Sequence, residues 1–444
     1  MAADPTRAGS PASARVLVVG TTPDYVELIL RRHPGRAVFL TEQRFRASAK
    51  EAPPPAGDEL TADLLRPPAE ILDLMRGHLG RWGMRLEGIT CFDCESLALA
   101  AYLARALGLP YASAEAVAAA RDKFACKQLW REAGLPAPAA ELVGDGDQAC
   151  AFLERLQRGR SSPGALVLKP LTGSGSELVF HCRTAGEVRR AIDAMRTRLA
   201  HHHDVRMYAP LETARGRCDP REVFVAEEFV RGAEYSCDFV LDRGRVELIR
   251  IARKILLPAP PVGTTLAYLL PARLPAGIRR ESFRRQVVAA AKSLGLTRAI
   301  AMLDFIVRGR EAVMLEMTPR PGGDCLPPLI LASSGLDMLG AALDFAAGRD
   351  PAIPPPRRWE PLVGLRLFAR RAGTITRLDP RPLAADPRVR AVHLTRAAGH
   401  RVVLPPENYD SRILGYAIFA PSSWRRVAAE SRELGQRLEL EMRP

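Results

Sequence analysis

Lysine is scarce in this chain, although basic residues are common. Only six of the 64 basic residues are lysines, namely Lys50, Lys123, Lys127, Lys169, Lys254 and Lys292. Because an ammonium is a compact point charge and a guanidinium is a broad fork, a lysine in so arginine-rich a chain indicates a place that needs the smaller cation. Three of the six lie between Lys123 and Lys169, so that segment is of particular interest.

The chain also lacks long apolar runs and a cysteine framework. No run approaches the roughly 20 apolar residues that cross a bilayer, and residues 1–14 have no signal-peptide core, so we expect a disordered tail there. The eight cysteines are scattered, which fits a reducing compartment. Cys91 and Cys94 form a CxxC pair, but no second pair follows at zinc-site spacing, which favours two core thiols. These absences predict a cytoplasmic protein without a membrane partner.

Aromatic residues make up only 6% of the chain, and the net charge is +14. Residues 357–444 contain 17 arginines and nine acidic residues, so they contribute +8 of that charge. No basic run is interleaved with aromatics there, which argues against a specific nucleic-acid partner. The alternative of nonspecific binding predicts a strong salt dependence. A basic surface that attracts anionic small molecules is the simpler interpretation.

The order of the predicted elements indicates an α/β and α+β multidomain protein. Buried strands at 15–20 and 36–40 flank a helix at 24–32, which is the order of a βαβ unit. The turn at 20–24 holds a single glycine, so the dinucleotide-binding fingerprint is absent. Prolines at 351 and 354–356 indicate a linker. We therefore predict an α/β domain at 15–112, a central domain at 113–350 and a small α+β domain at 351–444.

A glycine-rich loop lies beside the lysine-bearing segment. Lys123 and Lys127 share one face of a predicted helix at 122–133, and Lys169 lies on a predicted strand at 165–171. The loop at 172–176 follows, and a second strand is predicted at 177–182. This hairpin is not a P-loop, because no Gly-Lys-Ser/Thr ends it. Its glycines would let backbone N–H groups approach a phosphate, although many hairpin tips carry glycine for conformational reasons alone.

The run at 201–204, three histidines and an aspartate, is a weaker candidate site. Consecutive imidazoles cannot all face one metal ion in regular structure. We therefore predict an exposed loop for this run, within a segment at 197–221 whose role the sequence does not define.

Two acidic residues lie on a predicted hairpin at 299–324. If its loop holds an odd number of residues, Asp304 and Glu316 share a face, whereas a two-residue loop would put them on opposite faces. Facing carboxylates repel unless a cation lies between them, and Mg²⁺ uses one or two carboxylates together with phosphate oxygens. The alternative is a solvated strand face that carries two acids by chance. The polar, glycine-rich segment at 318–324 favours the metal.

Four motifs, in this order, resemble those of the ATP-grasp superfamily. They are Asp122-Lys123, Leu168-Lys169-Pro170 with its glycine-rich loop, Ala226–Val230 with Gly232–Glu234, and Asp304 with Glu316–Arg320. The resemblance extends from about Arg15 to the C-terminus. It implies a Rossmann-like pre-ATP-grasp domain, a two-lobed core with lobes at about 113–232 and 233–350, and the C-terminal α+β domain.

The resemblance also implies roles for individual residues. The ATP-binding residues would be Lys123, Lys169, Gly173, Ser174, Gly175, Ser176, Glu227, Glu228, Phe229, Val230 and Glu234. The metal ligands would be Asp304, Glu316 and Thr318, where many family members have asparagine in place of Thr318. Arg320 and Lys169 would be catalytic, with Arg320 at the substrate carboxylate. The implied cofactors are ATP and Mg²⁺, or Mn²⁺ in its place.

The implied reaction is ATP-dependent ligation of a carboxylate to an amine through an acyl phosphate. The C-terminal segment is similar to that of L-amino-acid ligases, so an amino acid or a similar small molecule is the expected substrate, and a homodimer is the default assembly. Three alternatives remain open: a biotin-carboxylase-like activity, for which no Met-Lys biotinylation site is present, phosphoryl transfer to a hydroxyl, and a nucleotide-binding regulator without turnover.

Overall fold

The computed structural model describes residues 14–158, 164–202, 204–213, 215–258 and 261–444. The predicted tail at 1–14 therefore lies outside the described residues, apart from Ala14. The chain divides into two compact units. The first comprises the described residues up to Ala114 together with Met338–Ala352, and the second comprises Glu115–Asp337 and Ile353–Pro444. No single helix in the described ranges is long and apolar enough to cross a membrane.

The first unit contains the predicted α/β arrangement. In chain order its elements are β1 (Ala14–Val19), α1 (Pro23–Arg32), β2 (Ala37–Glu42), α2 (Gln43–Ala47), β3 (Glu59–Ala62), α3 (Pro68–Arg81), β4 (Arg85–Cys91) and α4 (Leu97–Leu107). The four strands form a parallel sheet in the order β3-β2-β1-β4. Val16–Val19 are fully buried, as expected for a central parallel strand with both faces covered.

The remaining helices begin at Ala114. They are α5 (Ala114–Arg121), α6 (Lys123–Glu132), α7 (Gly146–Gln157), α8 (Ala185–Ala200), α9 (Arg280–Ser293), α10 (Leu326–Ser334), α11 (Met338–Ala346), a 3₁₀ helix (Pro356–Arg358), α12 (Arg381–Ala384) and α13 (Val427–Gln436). The N-terminus of α6 is well defined, because the Asp122 side chain accepts hydrogen bonds from the N–H groups of Phe124 and Ala125. This cap fixes Lys123 as the first residue of the helix.

The second unit contains the remaining strands. They are β5 (Ala140–Val143), β6 (Leu166–Pro170), β7 (Phe180–Cys182), β8 (Leu211–Thr213), β9 (Gly216–Cys218), β10 (Phe224–Glu228), β11 (Ala233–Asp242), β12 (Arg245–Leu256), β13 (Thr265–Leu270), β14 (Arg298–Arg308), β15 (Glu311–Thr318), β16 (Leu362–Phe368), β17 (Gly373–Asp379), β18 (Val389–Leu394), β19 (Arg401–Val402), β20 (Ile413–Phe419) and β21 (Glu439–Arg443). Strand β7 is shorter than the predicted 177–182, because the glycine-rich loop extends further along the chain.

Two antiparallel sheets of this unit position the residues discussed below. One has the order β5-β10-β6-β7, and the other has the order β15-β14-β11-β12-β13-β16-β20-β18. Two smaller sheets, β19-β17-β21 and β8-β9, complete the unit. Trp130 on α6 is fully buried and donates to the carbonyl of Ala290 on α9 over 3.1 Å, which holds these two helices together.

The structure confirms the mixed multidomain fold class but divides the chain differently from the predicted boundaries. The C-terminal domain predicted at 351–444 is not a separate unit, because β16 pairs with β13 and continues the eight-stranded sheet. Helix α11, which was predicted to belong to 113–350, is grouped with the first unit. It packs against β4 at Gly88, where a Cβ atom would lie 2.1 Å from the carbonyl oxygen of Ala346, so only glycine allows this approach.

Candidate active site

A cavity of about 370 Å³ in the second unit brings together nearly all the residues to which the sequence assigns a function. Fourteen of the fifteen predicted ATP-binding, metal-binding and catalytic residues line it: Lys123, Lys169, Gly173, Ser174, Gly175, Ser176, Glu227, Glu228, Phe229, Val230, Glu234, Asp304, Glu316 and Arg320. Thr318 is buried at the end of β15 and is not part of the lining. The structure thus assembles the predicted site, and the individual roles stay predictions.

Asp304 and Glu316 are paired across β14 and β15. The turn between these strands holds two residues, since Arg308 pairs with Glu311, and a regular ladder would then place Leu315 opposite Asp304. A β-bulge between Asp304 and Phe305 shifts the register by one residue and brings Glu316 opposite Asp304 instead. The two carboxylates are therefore neighbours despite the two-residue turn, a combination that the sequence argument did not consider.

Lys254 holds this acidic cluster together. Its ammonium donates to Glu234 Oε1 over 2.5 Å and to Asp304 Oδ2 over 3.0 Å. Burial raises the pKa of Asp304, and the negative charges of Glu234 and Glu316 raise it further. The positive charge of Lys254 opposes this shift but does not cancel it. Burial would also raise the pKa of Glu316, but the charges of Lys123, Lys169 and Lys127 outweigh it and lower that pKa.

The donor set fits a hard divalent cation. The Oδ1 atom of Asp304 is buried without a hydrogen-bond partner, so it has a lone pair available for a metal ion. In the described part of the chain, no group of three or more His, Cys, Asp or Glu side chains forms a complete metal site. Two carboxylates without a third protein ligand suit Mg²⁺, which keeps several waters and takes oxygens from a bound phosphate. Because Thr318 does not line the cavity, its position does not support the prediction that Thr318 is a third metal ligand.

Glu227 lies between two lysines. Its Oε1 atom is 2.8 Å from Lys127 Nζ and its Oε2 atom is 2.8 Å from Lys169 Nζ. Glu227, which the resemblance includes among the ATP-binding residues, thus has both carboxylate oxygens engaged in ion pairs. Burial would raise the pKa of Glu227, but the two ammonium groups lower it. Burial lowers the pKa of Lys169 to about 8, although Glu227 opposes this shift.

The segment after Glu227 forms one wall of the cavity. The N–H of Glu228 donates to the carbonyl of Ala139, and the N–H of Phe229 donates to the carbonyl of Ala165. The Phe229 ring packs against that of His181 with centroids 4.3 Å apart. These contacts fix the backbone of the predicted ATP-binding segment 228–230, with Val230 buried at its end.

The glycine-rich loop is tied to the rest of the unit at several points. Lys123 Nζ donates to the carbonyl of Gly173 over 2.6 Å, and Ser176 Oγ donates to the carbonyl of Gly263 over 3.0 Å. Gly173 has φ +116°, and its Cβ position would lie 3.1 Å from the Tyr208 hydroxyl, so glycine suits both the backbone and the space. The loop therefore has a defined conformation over the cavity.

Glu177 anchors the C-terminal end of this loop. Its Oε2 atom accepts a hydrogen bond from the Tyr208 hydroxyl over 2.9 Å, and its Oε1 atom is 3.1 Å from His202 Nε2. His201 is exposed, as predicted for this run, but the His202 side chain is only 9% exposed. The expectation of an exposed loop is therefore wrong for His202, and His203 lies outside the described residues.

Arg320 follows β15 on a segment that a buried ion pair holds in place. The Arg320 guanidinium donates to the carbonyl of Pro321 over 2.7 Å and lines the cavity. Asp238 accepts from Arg250 Nε over 2.8 Å and from the N–H of Gly322 over 3.0 Å. Because both charged side chains of this pair are fully buried, they give the segment after Arg320 a fixed attachment to β11 and β12.

Several residues of the site were not assigned from the sequence. Lys127 and Lys254 were noted only as rare lysines, yet they form the ion pairs with Glu227 and with Asp304. Arg366 and Asp324 also line the cavity and pair with each other over 2.6 Å. The scarcity of lysine was the available signal for the first two. No sequence pattern indicated the second pair, because its partners come together through the packing of the segment at the start of α10 against β16.

The chain is similar in sequence to an ATP-grasp domain and to two named ligases or synthases. A profile of the ATP-grasp domain matches residues 162–328. Human carnosine synthase 1 is 29% identical over 298 residues, which cover 64% of this chain and 33% of that protein. A D-alanine–D-alanine ligase of Acidovorax ebreus is 26% identical over 275 residues, covering 55% of this chain and 73% of the relative. The chain thus matches about a third of the length of carnosine synthase.

The fold is shared with a solved structure over almost the whole chain. An L-amino acid ligase from Bacillus licheniformis superposes with a TM-score of 0.73 at 17% sequence identity, covering 98% of this chain and all of that one. At this level of identity, the likeness concerns the fold.

Proposed function

Because the chain carries an ATP-grasp domain and is related in sequence to carboxylate–amine ligases, we propose that it joins a carboxylate to an amine at the expense of ATP. The reaction proceeds through an acyl phosphate, since a carboxylate is a poor electrophile until one of its oxygens carries a good leaving group. The observation that carries this proposal is the meeting of the paired acids Asp304 and Glu316 with Lys123, Lys169 and Arg320 in one cavity.

Different residues of the cavity have different roles in the formation of the acyl phosphate. Asp304 and Glu316 would hold Mg²⁺, or Mn²⁺ in its place, which supplies positive charge at the phosphate oxygens. Lys123 and Lys169 neutralise the charge that develops on the transferred phosphoryl group. Arg320 holds the substrate carboxylate in position for attack on the γ-phosphate, because a guanidinium fork matches two carboxylate oxygens.

The walls of the cavity protect the intermediate and bind the nucleotide. The glycine-rich loop at 173–176 covers the phosphates and excludes water that would hydrolyse the acyl phosphate. The segment at 228–230 holds the adenine, and Glu234 accepts hydrogen bonds from the ribose hydroxyls. Glu227 acts through its two lysines and sets their charge and position.

The names of the relatives indicate the class of substrate. D-alanine–D-alanine ligase is named for an amino acid, so we assign an amino acid or a similar small molecule to at least one substrate position. A homodimer, the absence of specific nucleic-acid partners and a cytoplasmic location belong to the same proposal.

The experiment that tests the ligase assignment is a screen of paired acids and amines with ATP and Mg²⁺, with phosphate release measured and products identified by mass spectrometry. We expect phosphate release that requires both substrates and an amide product. Asp304→Asn and Glu316→Gln should each lower turnover about 10²-fold or more, because each removes a carboxylate that would hold the cation at the phosphates. Glu311→Gln at the exposed end of the same hairpin is the matched control and should leave turnover unchanged.

Two results would contradict the assignment. Phosphorylation of a hydroxyl compound without any need for an amine would show a phosphotransferase. Tight ATP binding with no turnover over the whole panel would show a nucleotide-binding regulator.

A further inference from the structure

A second, larger cavity lies in the same unit and has no role in the site described above. Its volume is about 700 Å³, and its walls are mainly apolar, with Leu257, Leu266 and Leu404 among them. Val179, Val262 and Arg366 line both this cavity and the first one, so the two cavities adjoin at these residues. A cavity of this size is large enough for a small organic molecule.

One buried basic residue in this apolar cavity lacks a counter-ion among the residues that the structure describes. Arg412 lines the cavity and is 7% exposed. One of its terminal nitrogens donates to Thr264 Oγ1 over 3.3 Å, while its Nε atom has no hydrogen-bond partner, and it forms no salt bridge with any residue that the structure describes. Burial lowers the pKa of Arg412, and the nearby charge of Arg366 acts in the same direction.

Arg366 lines the same cavity but differs from Arg412 in having a counter-ion. The carboxylate of Asp324 pairs with the Arg366 guanidinium over 2.6 Å and neutralises its charge. Both guanidinium groups pack over the Phe368 ring, at 5.0 Å for Arg366 and 5.2 Å for Arg412. The stacking holds the guanidinium of Arg412 in place but supplies no negative charge.

A buried charge without a partner lowers the stability of the folded protein. The binding of an anion to the Arg412 guanidinium would offset this free-energy cost. A carboxylate fits both features of Arg412, because its two oxygens match the guanidinium fork and its charge offsets the desolvated cation. The apolar walls select for an uncharged, hydrophobic remainder of the same molecule.

We propose that this second cavity binds the amine substrate, an apolar amine whose own unreacted carboxylate pairs with Arg412. This inference rests on the proposed ligase function. The carboxylate that becomes the acyl phosphate is assigned to Arg320 in the first cavity, so a further carboxylate at Arg412 belongs to the other substrate. An apolar amino acid that supplies its amino group is the chemical class that fits.

The bond-forming step balances with this arrangement. The amine nitrogen attacks the carbonyl carbon of the acyl phosphate and forms the C–N bond. The C–O bond to phosphate breaks, its electron pair leaves with inorganic phosphate, and the phosphate takes up the proton that the nitrogen loses. The carboxylate at Arg412 does not take part and remains free in the product.

The test compares L-leucine with L-leucinamide, which differ in whether the carboxylate is present. Binding of each to the full chain is measured by calorimetry without ATP, and KM and kcat are then measured with ATP and a donor acid found in the screen. We expect wild-type protein to bind leucine at least tenfold more tightly than leucinamide. Arg412→Gln should abolish that preference and raise KM for leucine with little change in kcat. Arg425→Gln, an exposed arginine with the same change of charge, should have no effect.

A second variant keeps the test informative if Arg412→Gln fails to fold. Leu404→Trp fills part of the cavity without changing its charge and should weaken the binding of leucine more than that of alanine. Equal binding of leucine and leucinamide by the wild type, or an increased KM for the donor acid instead of the amine, would overturn the proposal. Leucine binding that depends on Arg412 together with no ligation of any substrate pair would support the carboxylate site and contradict the ligase function.

Discussion

The ammonium of Lys254 lies 3.0 Å from a carboxylate oxygen of Asp304, although their strands are not adjacent in the sheet. The side chain of Lys254 reaches from β12 past β11 to β14, and on the way it also bonds Glu234. Burial would lower the pKa of this lysine, but Asp304 and Glu234 raise it well above its usual value. Lys254 is therefore a permanent cation at the acids that we assign to the metal.

We predict that Lys254→Met destabilises the protein in a way that Mg²⁺ partly reverses. Removing the cation leaves Glu234, Asp304 and Glu316 to repel one another, and breaking a buried ion pair of this kind costs about 3–5 kcal/mol. Urea unfolding should show this loss, and millimolar Mg²⁺ should restore more stability to the variant than to the wild type. Lys292→Met, at an exposed position on α9, is the control. A Mg²⁺ effect of equal size in both proteins would argue against a metal at these acids.

The affinity for ATP should fall as the pH rises through about 8, which is the pKa to which burial lowers Lys169. Below this value Lys169 carries the charge that we assign to phosphate binding, and above it the charge is lost. If ATP binds only the protonated form, the dissociation constant increases about tenfold for each pH unit beyond the pKa. Calorimetric titration of Mg-ATP at pH 7, 8 and 9 measures this.

Lys169→Arg separates this effect from other titrations. An arginine stays charged throughout the range, so the variant should bind ATP with little dependence on pH, even if its affinity is lower. The same fall in affinity in both proteins would assign the titration to another group. Lys127 is not the expected alternative, because Glu227 and other nearby acids raise its pKa against the effect of burial.

The contact between His202 and Glu177 should stabilise the protein at low pH and lose its effect at high pH. Burial would lower the pKa of His202, but the hydrogen bond and the charge of Glu177 raise it above its usual value. A raised folded-state pKa stabilises the native protein fully below the unfolded value and no longer does so once the pH has passed the folded value. We expect His202→Gln to lower the free energy of unfolding by about 1 kcal/mol at pH 6 and by much less at pH 9.

Urea unfolding at the two pH values measures this difference. His201→Gln is the control, since it changes the same residue type at an exposed neighbouring position. A loss of stability that is equal at pH 6 and pH 9 would show that His202 acts through packing against Tyr208, where the ring centroids are 4.6 Å apart, and not through its charge.

The sequence identified the residues of the site better than it identified their partners. Asp304, Glu316, Lys123 and Lys169 could be found because residue type and order along the chain are enough for that. The register that brings the two acids together could not be derived, because it depends on a bulge, and alternation of polar and apolar residues does not show where a strand carries an extra residue. For this reason, the number of residues in the loop does not decide whether Asp304 and Glu316 share a face.

Contacts between distant elements account for the other differences. Glu227 could be placed beside Lys169 only through the pairing of β10 with β6, and its second partner, Lys127, lies on a helix that no strand pattern connects to it. The grouping of α11 with the first unit depends on one close approach at Gly88. The sequence shows only that Arg412 is one of 17 arginines in a basic segment. Its burial without a counter-ion among the described residues can be recognised only when its neighbours in the fold are known.

The pairing of β13 with β16 makes residues on both sides of the proline-rich segment parts of one hydrogen-bonded ladder. Exchange of the C-terminal portion with that of a related protein at residue 351 would keep β13 and replace β16, so the two strands of this ladder would come from different proteins. A chimera intended to alter substrate choice would therefore have to carry β13 along with the transplanted segment. In this architecture, the segment after residue 351 and the sheet that carries the candidate site cannot be exchanged independently of each other.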